Sequence, residues 1–352
     1  MIQFDSFLPF FGVVEGIVDP KKLGRVQVRC YGYHTENKAF IPTEMLRWFT
    51  TVVPNSAGTS GIGDSPTGYV KGSTVFGYFL NRDLQDGIVI GSITGKPTTE
   101  AIASMGFNDP DGVYPIFIDE SDVNRLARNE NIDQTIVQQK KDGIRTNVET
   151  TSGSWSEPET PYNAEYPYNN VKESTSGHVQ EIDDTPGSER LHEYHKSGTF
   201  KEIHPDGSQV IKIVTDSYTI VAGNGYFCVD GNSSGFVAGN NDLVVKGNNK
   251  VKIDGNNDVT INGTSTVDVE GAATLRAPTI QLGEDDKVEP SVLGDKLSNW
   301  INNELVPWLN AHNHIGNLGF PTSPAATSTV GPFDPGTAAP EGIVYSKVNT
   351  NQ

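Results

Sequence analysis

The sequence predicts an all-β protein in which a small N-terminal barrel precedes a C-terminal rod of short repeated strands. Only 35% of the 352 residues are hydrophobic, whereas 37 are glycine and 21 are proline, which favours many turns over long helices. Residues 1–97 contain short alternating runs, and residues 223–271 carry a glycine at every eighth position. A chain of this length is expected to form two or three folded units.

Charge and composition exclude several classes of partner. The formal net charge is −18, from 26 basic and 44 acidic residues, so binding to a nucleic-acid backbone or an anionic membrane surface is opposed. The two cysteines, Cys30 and Cys228, are too far apart in sequence to indicate a disulfide framework. The chain has neither a basic, apolar leader nor a long apolar run, so we expect no signal peptide and no spanning helix.

Residues 1–97 are typical of a small barrel or sandwich. Alternating runs at 25–29 and 87–91 are separated by glycine-rich turns, and Asp19-Pro20 with Gly24 marks a tight turn. Residues 98–170 are polar and contain several prolines. We interpret them as a linker with little core of its own.

The most informative stretch is an octapeptide repeat of the form V-x-V-x-G-N-x-x. An aliphatic residue lies two positions before each repeat glycine, a second lies four positions before most of them, and asparagine follows the first five. The repeat glycines are Gly223, Gly231, Gly239, Gly247, Gly255, Gly263 and Gly271.

Each octapeptide predicts one short strand and one corner. Two β-branched residues at a spacing of two point to the same face of a strand, and the Gly-Asn pair supplies a corner because both residues tolerate positive φ. A strand with about two buried side chains is unstable alone. Seven units give little more than two coils of a single-chain solenoid, which is fewer than such stacks need. Three chains that each supply one face of a triangular prism solve this problem, so we expect an intertwined homotrimer.

Residues 284–352 predict a tip region. Apolar residues from Leu293 to Leu309 follow one face of a short helix that bends or restarts at Pro307. The remaining tail is rich in Pro, Gly, Ser and Thr, and we expect it to be extended.

Three separate segments resemble one known family. The first comprises GVVEGIVDPKKLGRVQVRCYGYH (12–34) with IPTEML (41–46) and GIVIGSI (87–93), the second is FNDPDGVYP (107–115), and the third runs from EYPYNN to HPDGS (165–208). Together they resemble the central spike proteins of T-even-like contractile-tailed phages, and more distantly the valine-glycine-repeat spikes of type VI secretion systems.

The resemblance implies an architecture and a mechanical role. It implies an OB-fold barrel over 1–97, a linker over 98–170, a trimeric triple-stranded β-helix over 171–283 and a tip region over 284–352. The barrel would dock on a baseplate hub beneath the tail tube, and the needle, which a separate tip protein could cap, would pass through the host outer membrane when the sheath contracts. The protein would then be part of the virion. Phage relatives carry a lysozyme domain between barrel and needle, but only residues 116–164 occupy that gap here, so we predict no enzymatic activity.

His312 and His314 are the candidate metal ligands. If this stretch is extended, both imidazoles lie on one side, and three chains would present six nitrogens around the trimer axis, which suits iron or another divalent metal. Some phage spikes hold iron in this way. The alternative is that these histidines cap the helix or pack in a loop.

Two other motifs favour structural roles. His192 and His195 have the wrong spacing for a metalloprotease helix and lie in a predicted strand. Asp183 and Asp184 are adjacent on a strand and therefore point in opposite directions, which is unsuitable for an acid–base pair.

Three other functions fit parts of the sequence. The chain could be the spike of a bacterial contractile or type VI-like system, or a cell-wall hydrolase with its catalytic region in 98–170. It could also be a receptor-binding fibre, although that class usually ends in a bulky aromatic-rich domain.

Overall fold

The computed structural model describes residues 8–53, 58, 60–62, 68–130, 146–151, 153–282, 289–290 and 294–311. Most regular elements in this part of the chain are strands, and a closed five-stranded barrel lies at the N-terminus, which confirms the predicted all-β class and the barrel. The chain divides into two compact units, residues 1–244 and 245–352. None of the helices in the described ranges has the length and apolarity needed to cross a bilayer.

The barrel strands follow the order β1-β2-β3-β5-β4, with β4 returning to β1. All neighbours are antiparallel except β3 and β5, which run parallel. This order is that of an OB-fold barrel. The strands are β1 Leu8–Gly16, β2 Val26–Cys30, β3 Trp48–Thr51, β4 Thr74–Phe79 and β5 Gly87–Ser92.

Alternation along the strands builds the barrel core. Inward side chains come from alternate positions, for example Phe10 and Val14 of β1 and Val26 and Val28 of β2, with Val14 directly opposite Val28. β1 pairs with both β2 and β4, and a bulge near Gly16 helps it bend around the barrel. The nine buried core residues are Phe10, Val14, Val26, Val28, Cys30, Phe49, Val75, Phe79 and Val89.

The segment after the barrel covers its polar outer wall. The Phe107 ring stacks on Tyr31 at 4.4 Å, and its amide donates to the Glu15 carboxylate. Asp109 is buried and accepts hydrogen bonds from the amides of Asp111, Val113 and Tyr114. Part of the stretch interpreted as a linker is therefore packed structure.

A five-stranded antiparallel sheet in the order β12-β11-β10-β9-β8 follows. One face packs against Leu126, Tyr162 and Ala164, so the stretch 98–170 also supplies core here. The hydroxyl of Tyr162 donates to the Leu126 carbonyl at 2.7 Å. The elements are α1 Arg125–Arg128, β6 Asn147–Thr150, β7 Gly153–Ser156, β8 Asn169–Glu173, β9 Val179–Asp183, β10 Arg190–Tyr194, β11 Phe200–Ile203 and β12 Gln209–Lys212.

In the second unit, the predicted helix is present. It comprises α2 (Gly294–Trp300), a π-helical segment (Ile301–Leu305) and α3 (Val306–Ala311). Pro307, which lacks an amide hydrogen, is the second residue of α3 and lies two positions after the π-helical segment, where the regular hydrogen-bond pattern is already interrupted. Two short strands, β13 (Gln281–Leu282) and β14 (Glu289–Pro290), pair ahead of the helix.

Candidate assembly surfaces

The octapeptide segment, residues 215–279, bends at every repeat glycine. Each bend covers the glycine and the residue before it, and six residues without regular secondary structure separate one bend from the next. Between β12 and β13, all of which the structure describes, no strand is paired with another. The bends predicted at the glycines are therefore present, whereas the predicted strands between them are not formed within the single chain.

The aliphatic side chains of this segment are exposed. Val251 and Ile253 of one repeat are 75% and 49% exposed, and their counterparts in the other repeats are similar. The second aliphatic of the repeat is consistently the less exposed of the two. Soluble proteins rarely leave so much contiguous apolar surface open to water unless it is an interaction surface.

The predicted reason for the corner glycines is wrong. None of the seven repeat glycines has a φ in the left-handed region, although ten other described glycines do. A Cβ built on any of the seven would also meet no atom of this chain within 4 Å. Neither backbone conformation nor intrachain crowding therefore accounts for glycine at these corners.

A buried ionic cluster lies beneath the five-stranded sheet. Arg190 bridges two carboxylates, with Nη2 2.6 Å from Glu181 and Nη1 3.0 Å from Glu202. Nδ1 of His192 lies 2.6 Å from the second oxygen of Glu181, and all four side chains are buried. His192 is thus part of an internal network, and Asp183 is likewise buried, accepting hydrogen bonds from the amide and hydroxyl of Thr185.

The cluster holds Glu181 in its charged form. Burial raises the pKa of Glu181, but the hydrogen bond with His192 and the charge of Arg190 outweigh it, so the net pKa is lowered. A buried carboxylate with these partners stabilises the sheet only while it is ionised.

The opposite face of the same sheet carries an open apolar row. Ile182 and Leu191 are directly opposed across β9 and β10, and Ile203 of β11 is the next residue in the row. Ile182 and Leu191 are each about half exposed. This row is a second surface that no described residue of the chain covers.

A third apolar surface lies outside the barrel. Phe11 and Phe76 are paired across β1 and β4 with ring centroids 5.2 Å apart, and Ile90 and Ile93 line the same shallow depression. Phe11, Ile90 and Ile93 are exposed.

The candidate metal ligands His312 and His314 lie outside the described residues. Among the residues that the structure does describe, no group of three or more His, Cys, Asp or Glu side chains is arranged to hold a metal ion.

Comparison with known proteins identifies the N-terminal region. Residues 32–189 match the family described as the Gp5 N-terminal OB domain. The chain is 41% identical over 255 residues to Protein Gp5 of Vibrio phage KVP40, a match that covers 62% of this chain and 61% of that protein. It is 46% identical over 112 residues to the pre-baseplate central spike protein Gp5 of Enterobacteria phage T4, covering 30% of this chain and 20% of that protein.

The region that matches the Gp5 N-terminal OB domain family includes strands β3 to β5 of the closed barrel and the segment packed on it. The resemblance to the T4-like baseplate central spike proteins, which the three sequence segments indicated, is confirmed. The chain matches less than two thirds of the length of either relative.

Two features of these surfaces were not predicted. The Glu181–Arg190–His192–Glu202 cluster alternates with exposed residues along its strands, so its charges follow the pattern of a solvated face. The apolar row on the other face has the same period. Only the covering segments around Leu126 and Tyr162, which are distant in sequence, determine which face is buried.

Proposed function

We propose that this chain is the structural central spike of a contractile-tail baseplate, and that it works as a homotrimer. The observation that carries the proposal is the octapeptide segment, in which strand-length pieces with exposed aliphatics have no partner in their own chain. The similarity to Gp5 proteins, one of which is named a pre-baseplate central spike protein, supports the same role.

A trimer would provide partners for the backbone groups and cover for the aliphatic side chains that a single chain leaves exposed. Unpaired amides and carbonyls in strand-length pieces need partners, and the exposed aliphatics need cover. Three chains wound into a triple-stranded β-helix, which the sequence predicted over 171–283, would supply both for the octapeptide segment, whereas the strands between 169 and 212 already pair within the chain. Close packing of neighbouring chains would also explain glycine at corners where the chain itself leaves open space.

The mechanical role follows from this architecture. The barrel, assigned to 1–97, would attach the spike to a hub protein of the baseplate, with 98–170 joining it to the needle. The needle and the tip region at 284–352, with or without a separate tip protein, would be driven through the host outer membrane on sheath contraction. The protein would act within the virion and without nucleic acid, which its charge of −18 opposes.

We infer no enzymatic activity. In the described part of 98–170, buried and partly buried carboxylates have structural partners: Glu157 pairs with Lys212, Glu120 with Arg125 and Arg128, and Asp109 accepts three amides. A peptidoglycan zymogram checks this inference, and a cleared band from the purified protein would favour the hydrolase.

A metal at His312 and His314 remains part of the proposal. Three copies would supply six imidazoles, a donor set suited to iron or another late divalent metal. Elemental analysis of wild type beside His312→Ala tests it, and equal metal content in the two proteins would contradict it.

The mass in solution tests the trimer directly. Multi-angle light scattering should give three times the chain mass of 38.1 kDa. The assembly should also migrate as a trimer on unheated detergent gels, because unfolding an intertwined rod requires many strands to separate together. A monomer in light scattering would contradict the trimer. Immunolabelling of particles in electron microscopy would distinguish an axial spike from a peripheral fibre.

A further inference from the structure

We propose that His178 and His195 form a surface site for a late first-row divalent cation, with Zn²⁺, Cu²⁺ or Ni²⁺ as the class of ligand. The site is distinct from His312 and His314 and lies in the five-stranded sheet. The two imidazole rings are 4.5 Å apart between centroids, with 50° between their planes.

The pairing of β9 with β10 brings the two histidines together. Val179 is opposite Tyr194 in that pair, so the next residues outward, His178 and His195, are opposite each other. Both lie at the ends of hairpins, one between β8 and β9 and the other between β10 and β11. The rings therefore belong to two adjacent hairpins that a shared ligand would join.

The backbone geometry brings the side chains close. His178 donates its amide to Ser174 Oγ and accepts from the Ser174 amide, while His195 donates to the Thr199 carbonyl and accepts from the Gly198 amide. The backbone groups of the two histidines thus point away from each other, which makes them a non-hydrogen-bonded antiparallel pair. Side chains in such pairs approach more closely than those in hydrogen-bonded pairs.

The ring nitrogens are available for coordination. The only hydrogen bonds to the His195 ring among the described residues involve Nδ1, which lies 2.8 Å from Ser197 Oγ and 3.2 Å from the Ser197 amide. Nδ1 accepts from the Ser197 amide in this structure, so metal binding at Nε2 would move the ring proton to Nδ1. Nδ1 would then donate to the Ser197 hydroxyl, the kind of outer contact that orients histidine ligands, and give up the bond from the amide. Neither ring nitrogen of His178 is hydrogen-bonded to another described residue.

The donor type sets the ligand class. Neutral imidazole nitrogens favour Zn²⁺, Cu²⁺ and Ni²⁺ over Mg²⁺ and Ca²⁺, which prefer oxygen. Glu193 lies two residues before His195 on the same exposed face and adds negative charge near the site. Because no third side chain is in place, water completes the coordination.

The test uses the full chain with His312→Ala and His314→Ala, which removes the other candidate metal site. Calorimetry with Zn²⁺ should show one binding event per chain, and Cu²⁺ electron paramagnetic resonance should show nitrogen coordination. Outer-shell partners of metal ligands are worth about 10–100-fold in affinity, so loss of a ligand itself should weaken Zn²⁺ binding by at least about tenfold. We expect that loss for His178→Ala and for His195→Ala, each in this background.

His204→Gln is the matched control, because His204 begins the next hairpin turn of the same sheet and contacts Glu202 instead of another histidine. It should bind Zn²⁺ as the parent does. Circular dichroism checks that each variant keeps its fold, which the surface positions of both rings favour. Absence of Zn²⁺ binding in the parent, or undiminished binding in His178→Ala/His195→Ala, would overturn the proposal.

Discussion

Arg29 and Glu15 form a bidentate ion pair on the outer wall of the barrel, with Nε 2.6 Å from Oε1 and Nη2 3.1 Å from Oε2. Both side chains are fully buried. Arg29 also donates to the carbonyls of Thr35 and Ile41, and Glu15 accepts from the Thr43 hydroxyl and the Phe107 amide. A single ion pair thus connects β1, β2, the loop after β2 and the segment after the barrel.

Glu15→Ala should destabilise the barrel by about 3–5 kcal/mol, because it leaves the Arg29 guanidinium buried without its counter-charge. Chemical denaturation of the full chain, followed by circular dichroism, measures the change. Asp111→Ala is the matched control, since it breaks an exposed pair with Lys71 and should cost about 1 kcal/mol or less. Equal effects of the two substitutions would show that burial does not strengthen the Glu15 contact.

Gly106→Ala should destabilise the same region by about 1–3 kcal/mol through overpacking. A Cβ at Gly106 would lie 2.4 Å from Arg29 Nε and 2.5 Å from its Cδ, and the hydrogen bonds of Arg29 prevent that side chain from moving aside. Gly91→Ala is the control within the barrel, because its Cβ would meet nothing within 4 Å. The melting temperatures of the two variants check this prediction, and a Gly106→Ala protein as stable as Gly91→Ala would contradict it.

Acid should weaken the five-stranded sheet through Glu181. Its pKa is lowered in the folded state, so its contribution to the free energy of unfolding is present above the ordinary value of 4.5 and is lost as pH falls through the lowered pKa. Glu181→Gln should lower stability at pH 7 by about 1.5–3 kcal/mol, since Arg190 keeps Glu202 as a partner. The variant should also lose less of its remaining stability below pH 4.5.

Thermal unfolding between pH 3 and pH 7 measures both effects. Glu193→Gln changes a carboxylate on the exposed face of the same strand and is the matched control, which should keep wild-type stability at pH 7. A Glu181→Gln profile parallel to that of wild type would assign the acid response to other groups.

Gly255→Val should disrupt the proposed trimer without straining the single chain. The position has open space around its Cβ and no left-handed φ, so any loss must come from a neighbouring copy. Light scattering should show a smaller assembled fraction than in wild type. Lys252→Ala, which changes an exposed side chain in the same repeat, should assemble normally. A fully trimeric Gly255→Val protein would rule out close packing at this corner.

The sequence predicted the barrel well because its inward residues alternate. Val26 and Val28 face the core as their spacing indicates, and Asp19 forms the turn beside Pro20, accepting from the amides of Lys21 and Leu23. The buried Arg29 was not predictable. Charged residues at alternate positions normally face solvent. Phe107, whose ring covers the Arg29 guanidinium, is distant from it in sequence.

The octapeptide segment was also predicted only in part. The positions of the bends follow from the eight-residue spacing of glycine, and Gly255 and its counterparts lie at them. The prediction that these glycines adopt positive φ was wrong, because positive φ is only one of the constraints that favour glycine at a position. The close pair of His178 and His195 was missed because it depends on the register of two hairpins rather than on any sequence motif.

The hydrogen bond from the Phe107 amide to Glu15 spans 92 positions in the chain and has a consequence for synthesis. Translation proceeds from the N-terminus at about 5–20 residues per second, so several seconds or more separate the emergence of the two partners from the ribosome. In the last part of that interval, after β5 has emerged, the nascent barrel has all its strands but lacks the segment that shields Glu15 and Arg29 from water. A nascent chain arrested before residue 107 has left the exit tunnel should therefore be easier to proteolyse than one arrested well beyond it.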